Sequence, residues 1–348
     1  MTRVTLLAVS LCLAASTPSG AEPVAVSSAG ATSMPALEVP SSALMSPEGN
    51  ASRVEHILTE RSLKGRPVGA FNAALFGPRL ERSKAAYPVT IRDATMGGVP
   101  VKIYEPRSGV AKAMQGRVLL NVHGGGFVGC FVECGGLESI PVAALAGVRV
   151  ISIDYRLAPT AKFPEATEDV AAVYRDVLKT TPARRIGIFG CSAGGILTAQ
   201  SLAWFQRHDL PRPAAAGISC AGADPSMGGD SRILGMLLGD GELPQAPSSS
   251  EPPRLGYMRG AADDDPVAYP ARSPATLAKF PPTLVVVGTR DFALSGAVKL
   301  HSSLVAAGVD ARLHVWEGGR HAFFYDARVP EAREAYAVMA RFFTERLR

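Results

Sequence analysis

A serine between two glycines follows one of the apolar runs of the sequence. The run Gly-Cys-Ser-Ala-Gly at 190–194 lies between a predicted strand at 185–189 and a predicted helix at 193–207. A strand-to-helix turn this tight needs glycine two residues before and two residues after the serine, and it lifts the serine Oγ above the end of the sheet. The N–H groups at the start of the helix face any negative charge that develops there. The pattern predicts that Ser192 is a nucleophile and that the Ala193 N–H stabilises an oxyanion.

A second glycine-rich turn follows another apolar run. It reads His-Gly-Gly-Gly at 123–126. Successive glycines let the backbone approach a substrate closely and point N–H groups at a single oxygen atom. We therefore predict Gly124 and Gly125 as oxyanion-hole donors that act together with the Ala193 N–H. His123 is interpreted as a residue that orients this loop by hydrogen bonding rather than one that transfers protons.

A serine nucleophile needs a general base, and the base needs a carboxylate that orients it. Asp291 and His321 both come shortly after predicted strands. The resulting chain order of nucleophile, acid and histidine is typical of enzymes that carry their serine on a strand-turn-helix motif. Asp224 also follows a strand, but one strand too early for this order, and Glu317 is a more distant alternative. The remaining histidines, His123 apart, lie in or beside predicted helices or in the middle of a strand, which leaves His321 as the predicted base.

These residues must be positioned by the elements that precede them. Apolar, β-branched runs predict strands, and helical patterns lie between them. The predicted strands are 87–92, 99–104, 117–122, 148–155, 185–189, 214–220, 283–287 and 311–316, and the predicted helices are 163–180, 193–207, 294–307 and 330–347. This alternation indicates an α/β fold with a mostly parallel sheet of about eight strands and helices on both faces. In such sheets ligands bind at the carboxyl ends of the strands, where all three catalytic candidates lie.

Two segments fall outside this alternation. Residues 51–86 contain a helical region before the first strand, and residues 224–273 are rich in Gly, Pro and Ser with scattered apolar side chains. The second segment is interpreted as an insertion between two strands, helical in part, that forms a lid. It lacks a long amphipathic helix, which favours short acyl groups over long lipids as substrates. The residues predicted to line a substrate pocket are Phe127, Leu237, Leu238 and Phe292.

Together the motifs resemble those of the hormone-sensitive-lipase family of esterases (bacterial esterase family IV) within the α/β-hydrolases. The matching runs are His-Gly-Gly-Gly at 123–126, Asp-Tyr-Arg-Leu-Ala-Pro at 154–159, Phe-Pro at 163–164, Gly-Cys-Ser-Ala-Gly-Gly at 190–195, Pro-Pro at 281–282, Gly-Thr-Arg-Asp at 288–291, and His321. The resemblance implies an α/β-hydrolase domain over 51–348, with a helical cap from 51–86 and a contribution from 224–273 left open. It also implies that Tyr155 and Arg156 hold the loop beside the oxyanion hole.

Two departures from the family pattern concern the surroundings of the site. Cys191 stands where members usually have Asp, and sometimes Thr. It is interpreted as a small apolar filler, with a disulfide to Cys220 as the alternative. The segment after Asp291 lacks the Pro and the second acid common in the family, which affects a supporting loop contact and not Asp291 itself. The pairing of Cys130 and Cys134 is also left open, and buried free thiols are the default expectation for all four cysteines.

The chemistry predicted from these residues is hydrolysis of small-molecule, short-to-medium acyl esters through an acyl-enzyme. No metal or organic cofactor is expected, because no Cys/His cluster has zinc-ligand spacing. Two alternatives stay open: amide, carbamate or peptide hydrolysis on the same triad, and a non-catalytic small-molecule receptor, since the plant gibberellin receptors resemble this fold. A receptor would be expected to lack a triad member, whereas Ser192, Asp291 and His321 are all present.

Composition excludes several classes of protein. The 348 residues are 47% apolar and 19% charged, which is enough for a buried core, and no apolar run reaches the length of a membrane span. The net charge of +5 comes from scattered basic residues, so no nucleic-acid partner is expected. A homodimer is left open.

The first residues predict export. Residues 1–21 carry one Arg, an apolar stretch and a small-residue cleavage pattern, which are typical of a secretory signal peptide. A buried N-terminal helix is the alternative. Residues 22–50 are rich in Ser, Ala and Pro and are interpreted as a flexible spacer. A periplasmic or secreted protein is therefore expected.

Overall fold

The computed structural model describes residues 24–28, 30–33, 37–225, 228–242 and 256–347. The chain divides after Pro40 into two units. In the first unit, β1 (Ala25–Val26) pairs antiparallel with β2 (Thr32–Ser33). The predicted signal peptide at 1–21 lies outside the described residues, as does part of the predicted insertion, so export remains a prediction.

The second unit is built on one eight-stranded sheet. Its strands are β3 (Val89–Met96), β4 (Val99–Pro106), β5 (Val118–Val122), β6 (Arg149–Ile153), β7 (Ile186–Cys191), β8 (Ala215–Ser219), β9 (Thr283–Arg290) and β10 (Ala311–Arg320). They lie in the order β10-β9-β8-β7-β5-β6-β4-β3. β3 pairs antiparallel with β4 and β4 with β6, while the other pairs are parallel. The predicted mostly parallel sheet of eight strands is confirmed.

Helices cover both faces of this sheet. The helices of the described residues are α1 (Pro47–Ser62), α2 (Val68–Ala86), α3 (Phe131–Ala146), α4 (Glu165–Leu178), α5 (Ala193–Arg207), α6 (Ser231–Gly235), α7 (Pro274–Leu277), α8 (Leu294–Ala306) and α9 (Pro330–Arg346). Among them, none combines the length and the hydrophobicity needed to cross a membrane. The four predicted helices correspond to α4, α5, α8 and α9, with ends that differ by at most two residues.

The central strands are buried on both faces. Every residue of β5, β7 and β8 is buried. One apolar cluster includes Tyr174 of α4 and Phe205 of α5, whose rings stack with centroids 4.2 Å apart. The other cluster includes Leu137 of α3 and Phe343 of α9. Strands that are covered on both faces carry continuous apolar runs, so these strands could be predicted from the sequence.

Helix α3 was not predicted from the sequence. It contains two adjacent glycines, Gly135 and Gly136, and an internal proline, Pro141, all of which disfavour helix. Most of its residues are buried, so it lacks the apolar stripe that marks a surface helix. Burial against α2, β6 and α9 therefore overrides its weak intrinsic propensity.

The boundary predicted at residue 50 is wrong. Ser42 and Met45 are buried within the second unit. Ser46 caps α1 by accepting the Gly49 N–H at 3.0 Å, and its own hydroxyl donates to Glu331 Oε2 at 2.8 Å. The last ten residues of the predicted spacer are thus part of the folded domain, held by contacts to a helix almost 300 positions away in the sequence.

The cysteines divide into one disulfide and two thiols. Cys130 and Cys134 are disulfide-bonded, with Cα atoms 5.2 Å apart, so the expectation of free thiols is wrong for this pair. The reason is α3, whose first turn brings positions four apart onto one face. Cys191 and Cys220 are buried and free, and the alternative of a disulfide between them is absent from the structure.

Candidate active site

Ser192 stands at a sharp turn between β7 and α5. Its φ of +58° is unusual for a residue with a side chain. A Cβ added at Gly190 would lie 2.2 Å from the Val122 carbonyl oxygen, and one at Gly194 would lie 1.9 Å from the same atom. Only glycine fits both positions, which is the physical content of the sequence motif. The turn places the Ser192 side chain on the wall of two cavities at the carboxyl ends of the strands.

The structure joins Ser192, His321 and Asp291 in one hydrogen-bonded chain. β9 ends at Arg290 and β10 at Arg320, so Asp291 and His321 follow directly. Ser192 Oγ lies 2.9 Å from His321 Nε2, and His321 Nδ1 lies 2.8 Å from Asp291 Oδ1. An ionised carboxylate only accepts hydrogen bonds, so Nδ1 carries the proton and Nε2 accepts the serine hydroxyl. Asp291 is fully buried, and its Oδ1 also accepts the Ala293 N–H at 2.8 Å.

Two opposing effects set the charge state of His321. Burial disfavours the imidazolium and lowers the pKa of His321, while the charge and the hydrogen bond of Asp291 raise it. Asp240 adds to the raising effect, and the net result is a pKa above the ordinary value of 6.5. The Phe292 ring stacks on the imidazole with centroids 4.1 Å apart and limits its rotation. The orientation of the imidazole is therefore fixed by the Asp291 hydrogen bond at its edge and by the Phe292 ring against its face.

The glycine loop differs from its prediction at one position. The Gly124 N–H donates to Glu138 Oε1 at 2.8 Å, so it is already engaged, and the prediction of Gly124 as an oxyanion donor is wrong. Gly125 lines the larger cavity, Ala193 lines the smaller, and Gly126 lines both. The residues of the two glycine-containing turns that line a cavity beside Ser192 are thus Gly125, Gly126 and Ala193. Sequence reasoning missed Gly126 because three adjacent glycines do not reveal which N–H is used elsewhere.

His123 and Tyr155 hold the base of this loop. The Tyr155 hydroxyl donates to the His123 carbonyl at 2.7 Å, and the two rings stack with centroids 4.3 Å apart. His123 Nδ1 lies 2.7 Å from the Gly124 carbonyl oxygen. Burial lowers the pKa of His123 to about 4, so the ring is neutral at neutral pH. Arg156, which follows Tyr155 after the end of β6, forms an ion pair with Asp169 of α4 at 2.9 Å.

Two cavities meet at Ser192. The larger has a volume of about 450 Å³ and also contacts His321. Helices α1 and α2, which contain the segment predicted as a cap, supply much of its wall, with His56, Glu60, Asn72, Leu75 and Phe76. The smaller has a volume of about 120 Å³ and is lined mainly by apolar residues and glycines, among them Ile196, Ala221 and Gly296. The cap residues were not predicted individually, since no motif marks them.

The four predicted pocket residues fall in different places. Phe292 lies on the walls of both cavities. Phe127 is fully buried and stacks on Tyr257 with centroids 4.4 Å apart, so its prediction as a pocket residue is wrong. Leu237 and Leu238 belong to a π-helical turn, Met236–Asp240, and are outside both cavity walls. That turn instead contributes Asp240 to the larger cavity.

Within the described residues, one group of side chains has metal-ligand character. Cys220, Asp291 and His321 bring their potential ligand atoms within 4.8 Å of one another. Cys220 Sγ accepts the Ala322 N–H at 3.4 Å, and His321 Nδ1 donates to Asp291. These three side chains are thus engaged in hydrogen bonds with protein groups.

Sequence reasoning also missed Glu138 and Tyr325, which are hydrogen-bonded to each other next to the glycine loop. The Tyr325 hydroxyl donates to Glu138 Oε1 at 2.5 Å, and its side chain borders the larger cavity. A signal was available for Glu138, because it is the only charged residue in the mainly apolar run at 137–146. A buried acid in such a run needs specific hydrogen-bond partners.

The fold and this site together define an α/β-hydrolase. A family model described as the alpha/beta hydrolase fold matches residues 119–325. Among curated proteins, an acetyl-hydrolase of Streptomyces hygroscopicus is 29% identical over 233 residues, which cover 65% of this chain and 75% of that protein. The chain belongs to the hormone-sensitive-lipase family of the α/β-hydrolases, as its motifs indicate.

Solved structures agree with this assignment. The crystal structure of an esterase superposes with a TM-score of 0.77 at 28% identity, covering 91% of this chain and 99% of that one. An esterase from the bacterial hormone-sensitive lipase family superposes with a TM-score of 0.71 at 27% identity, covering 86% and 99% of the two chains.

Proposed function

We propose that this protein is a serine carboxylic ester hydrolase that acts through an acyl-enzyme. The observation that carries the proposal is the unbroken chain from Ser192 Oγ through His321 to the buried Asp291 carboxylate. That chain opens onto a cavity whose wall includes Gly125 and Gly126 of the glycine loop. The names of the similar acetyl-hydrolase and esterases support ester substrates.

In the first half of the reaction, Ser192 Oγ attacks the ester carbonyl carbon while His321 Nε2 accepts the hydroxyl proton. The negative charge that develops on the carbonyl oxygen is stabilised by the N–H groups of Gly125, Gly126 and Ala193. Removing one such donor typically costs about 10²- to 10³-fold in kcat. His321 then gives its proton to the departing alkoxide, the carbon–oxygen bond breaks, and the alcohol leaves.

In the second half, water repeats the sequence on the acyl-enzyme. His321 removes a proton from the water as its oxygen attacks the acyl carbon, and it returns that proton to Ser192 Oγ when the ester bond to the enzyme breaks. Asp291 stabilises the imidazolium in both halves and does not itself become protonated.

The two cavities suggest which part of the ester lies where. The leaving alcohol must pass close to His321, which lines only the larger cavity, so the acyl group faces the smaller one. Sites that hold drug-sized molecules measure about 300–1,000 Å³. The 450 Å³ cavity falls in this range and the 120 Å³ cavity falls well below it. We therefore propose short-acyl esters of larger alcohols, and acetyl esters above all.

Enlarging the smaller cavity is expected to shift the preferred acyl length. Ile196 is a buried part of its wall, and Ile196→Ala removes three carbon atoms from that wall. The ratio of kcat/KM for p-nitrophenyl hexanoate to that for the acetate is expected to rise at least about tenfold. The free energy of unfolding is expected to fall by about 2–5 kcal/mol.

Val128→Ala is the matched control for this change. Val128 lines the larger cavity, where we place the alcohol, so this variant is expected to leave the acyl-length ratio unaltered. If Val128→Ala moved the ratio and Ile196→Ala did not, the assignment of the two cavities would be reversed.

The pH dependence of kcat/KM is expected to include the ionisation of His321. Only neutral His321 can accept the serine proton, and the net raised pKa keeps the charged, inactive form present to a higher pH than usual. Activity is therefore expected to rise with pH through a midpoint above 6.5 and to be lost as pH falls. A pH series of kcat/KM on p-nitrophenyl acetate measures the midpoint, and a value below 6.5 would contradict a raised pKa of His321.

Comparison of an ester with a matched amide tests the reaction class. The purified protein is expected to hydrolyse p-nitrophenyl acetate and to leave p-nitroacetanilide essentially unchanged under the same conditions. Turnover of the anilide at a comparable rate would favour the amidase alternative. Stoichiometric binding of a small ester without release of product would favour the receptor alternative.

A further inference from the structure

A buried carboxylate joins three segments of the active site. Glu138 belongs to α3 and is 2% exposed. Its Oε1 accepts the Gly124 N–H of the glycine loop at 2.8 Å and the Tyr325 hydroxyl at 2.5 Å. It also accepts the backbone N–H of Cys191, the residue before the nucleophile. One side chain thus contacts the oxyanion loop, the end of the strand that leads into the serine turn, and the segment that follows His321.

A further hydrogen bond fixes the second carboxylate oxygen. Asn121 Nδ2 donates to Glu138 Oε2 at 2.7 Å. The orientation of this amide is set by Ser152, whose hydroxyl donates to Asn121 Oδ1 at 2.7 Å. Both side chains lie on adjacent strands of the sheet and are fully buried. Side chains of the core thus fix the position of Glu138, and Glu138 in turn fixes the groups that it contacts at the site.

All four groups that Glu138 accepts from are uncharged donors. This distinguishes it from Asp169 and Asp326, the buried acids of this domain that pair with arginines. A carboxylate that serves only to neutralise a cation would need a cation beside it. Four N–H and O–H groups that converge on one anion instead fix each other's directions, because hydrogen bonds to a charged acceptor are short and strong.

We propose that Glu138 is a positioning residue for ester hydrolysis, which holds the glycine loop so that the N–H groups of Gly125 and Gly126, and not that of Gly124, face the reacting carbonyl oxygen. The inference rests on the proposed esterase function. By accepting the Gly124 N–H, the carboxylate fixes the orientation of the first peptide group of the oxyanion loop. Through Cys191 it couples that loop to Ser192, so that the nucleophile and the oxyanion donors keep one relative placement.

The charge of Glu138 is part of this arrangement. Burial raises the pKa of Glu138 to about 7, against the lowering effect of its hydrogen bonds. The other titratable groups around it, besides Tyr325, are Tyr104, Tyr155, Tyr336 and Cys191, and burial raises the pKa of each. Those groups are neutral near pH 7, so the ionised state depends on the four donors. A protonated carboxyl would turn one accepting position into a donor that faces another donor.

Glu138→Gln tests the proposal, because it keeps the shape and removes the charge and one accepting atom. One amide N–H₂ must then face a donor, either Asn121 or the pair formed by Gly124 and Tyr325. We expect kcat for p-nitrophenyl acetate to fall about 10- to 100-fold, a fraction of the effect of a lost oxyanion donor. KM is expected to stay within about threefold, because ground-state binding does not use the oxyanion donors.

A trifluoromethyl ketone supplies a readout that a purely structural role would not move. It forms a tetrahedral oxyanion on the serine, so its affinity is expected to fall by the same factor as kcat/KM. The acid limb of the pH profile is expected to become less steep in Glu138→Gln, since one of two protonations that reduce activity is removed. Unchanged kcat in a folded Glu138→Gln protein, or unchanged inhibitor affinity, would overturn the proposal.

Ser139→Ala is the matched control. Ser139 is the next residue of α3, is equally buried, and its hydroxyl has no hydrogen-bond partner among the described residues. This variant is expected to keep the kcat and inhibitor affinity of the wild type.

If Glu138→Gln fails to fold, Tyr325→Phe decides the question. It removes one donor from Glu138 Oε1 and is expected to lower kcat by about tenfold with little change in KM. A wild-type kcat in this variant would overturn the proposal. Failure of the esterase proposal is distinguishable from either result, because the wild-type protein would then hydrolyse no ester.

Discussion

Replacing Ser192 by Ala is expected to lower kcat for p-nitrophenyl acetate by about 10⁶-fold. The substitution removes the Oγ atom that lies 2.9 Å from His321 Nε2 and that forms the acyl-enzyme. The Cβ atom and the backbone of the turn are retained, so thermal unfolding is expected to be unchanged. The residual rate reflects the oxyanion donors and binding alone. Burst kinetics and labelling by a fluorophosphonate are expected to disappear together.

Ser201→Ala is the control for this substitution. Ser201 lies on the same helix, is fully buried, and donates its hydroxyl to the Leu197 carbonyl at 2.7 Å, away from both cavities. It is expected to keep full activity and full labelling. The thiol of Cys191 is not expected to replace the serine, because it is buried and belongs to the strand rather than the turn. Retained turnover in Ser192→Ala would overturn the proposed mechanism.

Asp291→Asn is expected to have the second largest effect, a loss of about 10⁴-fold in kcat. The amide carries no charge to stabilise the imidazolium that forms in a buried site, where such charge interactions are strong. If the amide rotates, its N–H₂ group faces His321 Nδ1 and favours the tautomer in which Nε2 carries the proton. That tautomer cannot accept the Ser192 hydroxyl proton.

The accompanying pH profile separates loss of charge from loss of structure. The largest effect that raises the pKa of His321 comes from Asp291, so the acid midpoint of the residual activity is expected to move to lower pH in Asp291→Asn. Glu317→Gln is the control, since Glu317 accepts from Ser42 and Thr289 and leaves His321 untouched. Near-normal kcat in Asp291→Asn, or a comparable loss in Glu317→Gln, would show that the acid of the triad is misassigned.

The strands and the serine turn could be predicted because their signals are local. The central strands carry continuous apolar runs. The turn between β7 and α5 needs glycine at 190 and 194, because a side chain at either position would overlap the Val122 carbonyl oxygen. The chain order of Ser192, Asp291 and His321 then limits the choice of acid and base. These features follow from neighbouring residues and from rules that hold for any sheet of this type.

The cap could be predicted only as a region. Its helices line the larger cavity through side chains such as Leu75 and Phe76, but nothing in the sequence of α2 distinguishes cavity-facing positions from core-facing ones. Phe127 illustrates the same limit from the other side. It directly follows the glycine loop, yet its ring turns inward and stacks on Tyr257, which lies 130 residues later in the chain.

The oxyanion loop shows most clearly what the sequence determined and what it did not. The three glycines at 124–126 indicate a backbone that can approach a substrate closely, and this steric freedom does not depend on tertiary contacts. Which N–H groups remain available depends on Glu138, whose helix α3 is stabilised by burial and not by its own propensity. The disulfide between Cys130 and Cys134 depends on the same helix. Steric limits on the backbone and apolar periodicity depend on residues that are adjacent in the sequence. The hydrogen bond from Gly124 to Glu138 instead joins two segments that only the packed core brings together.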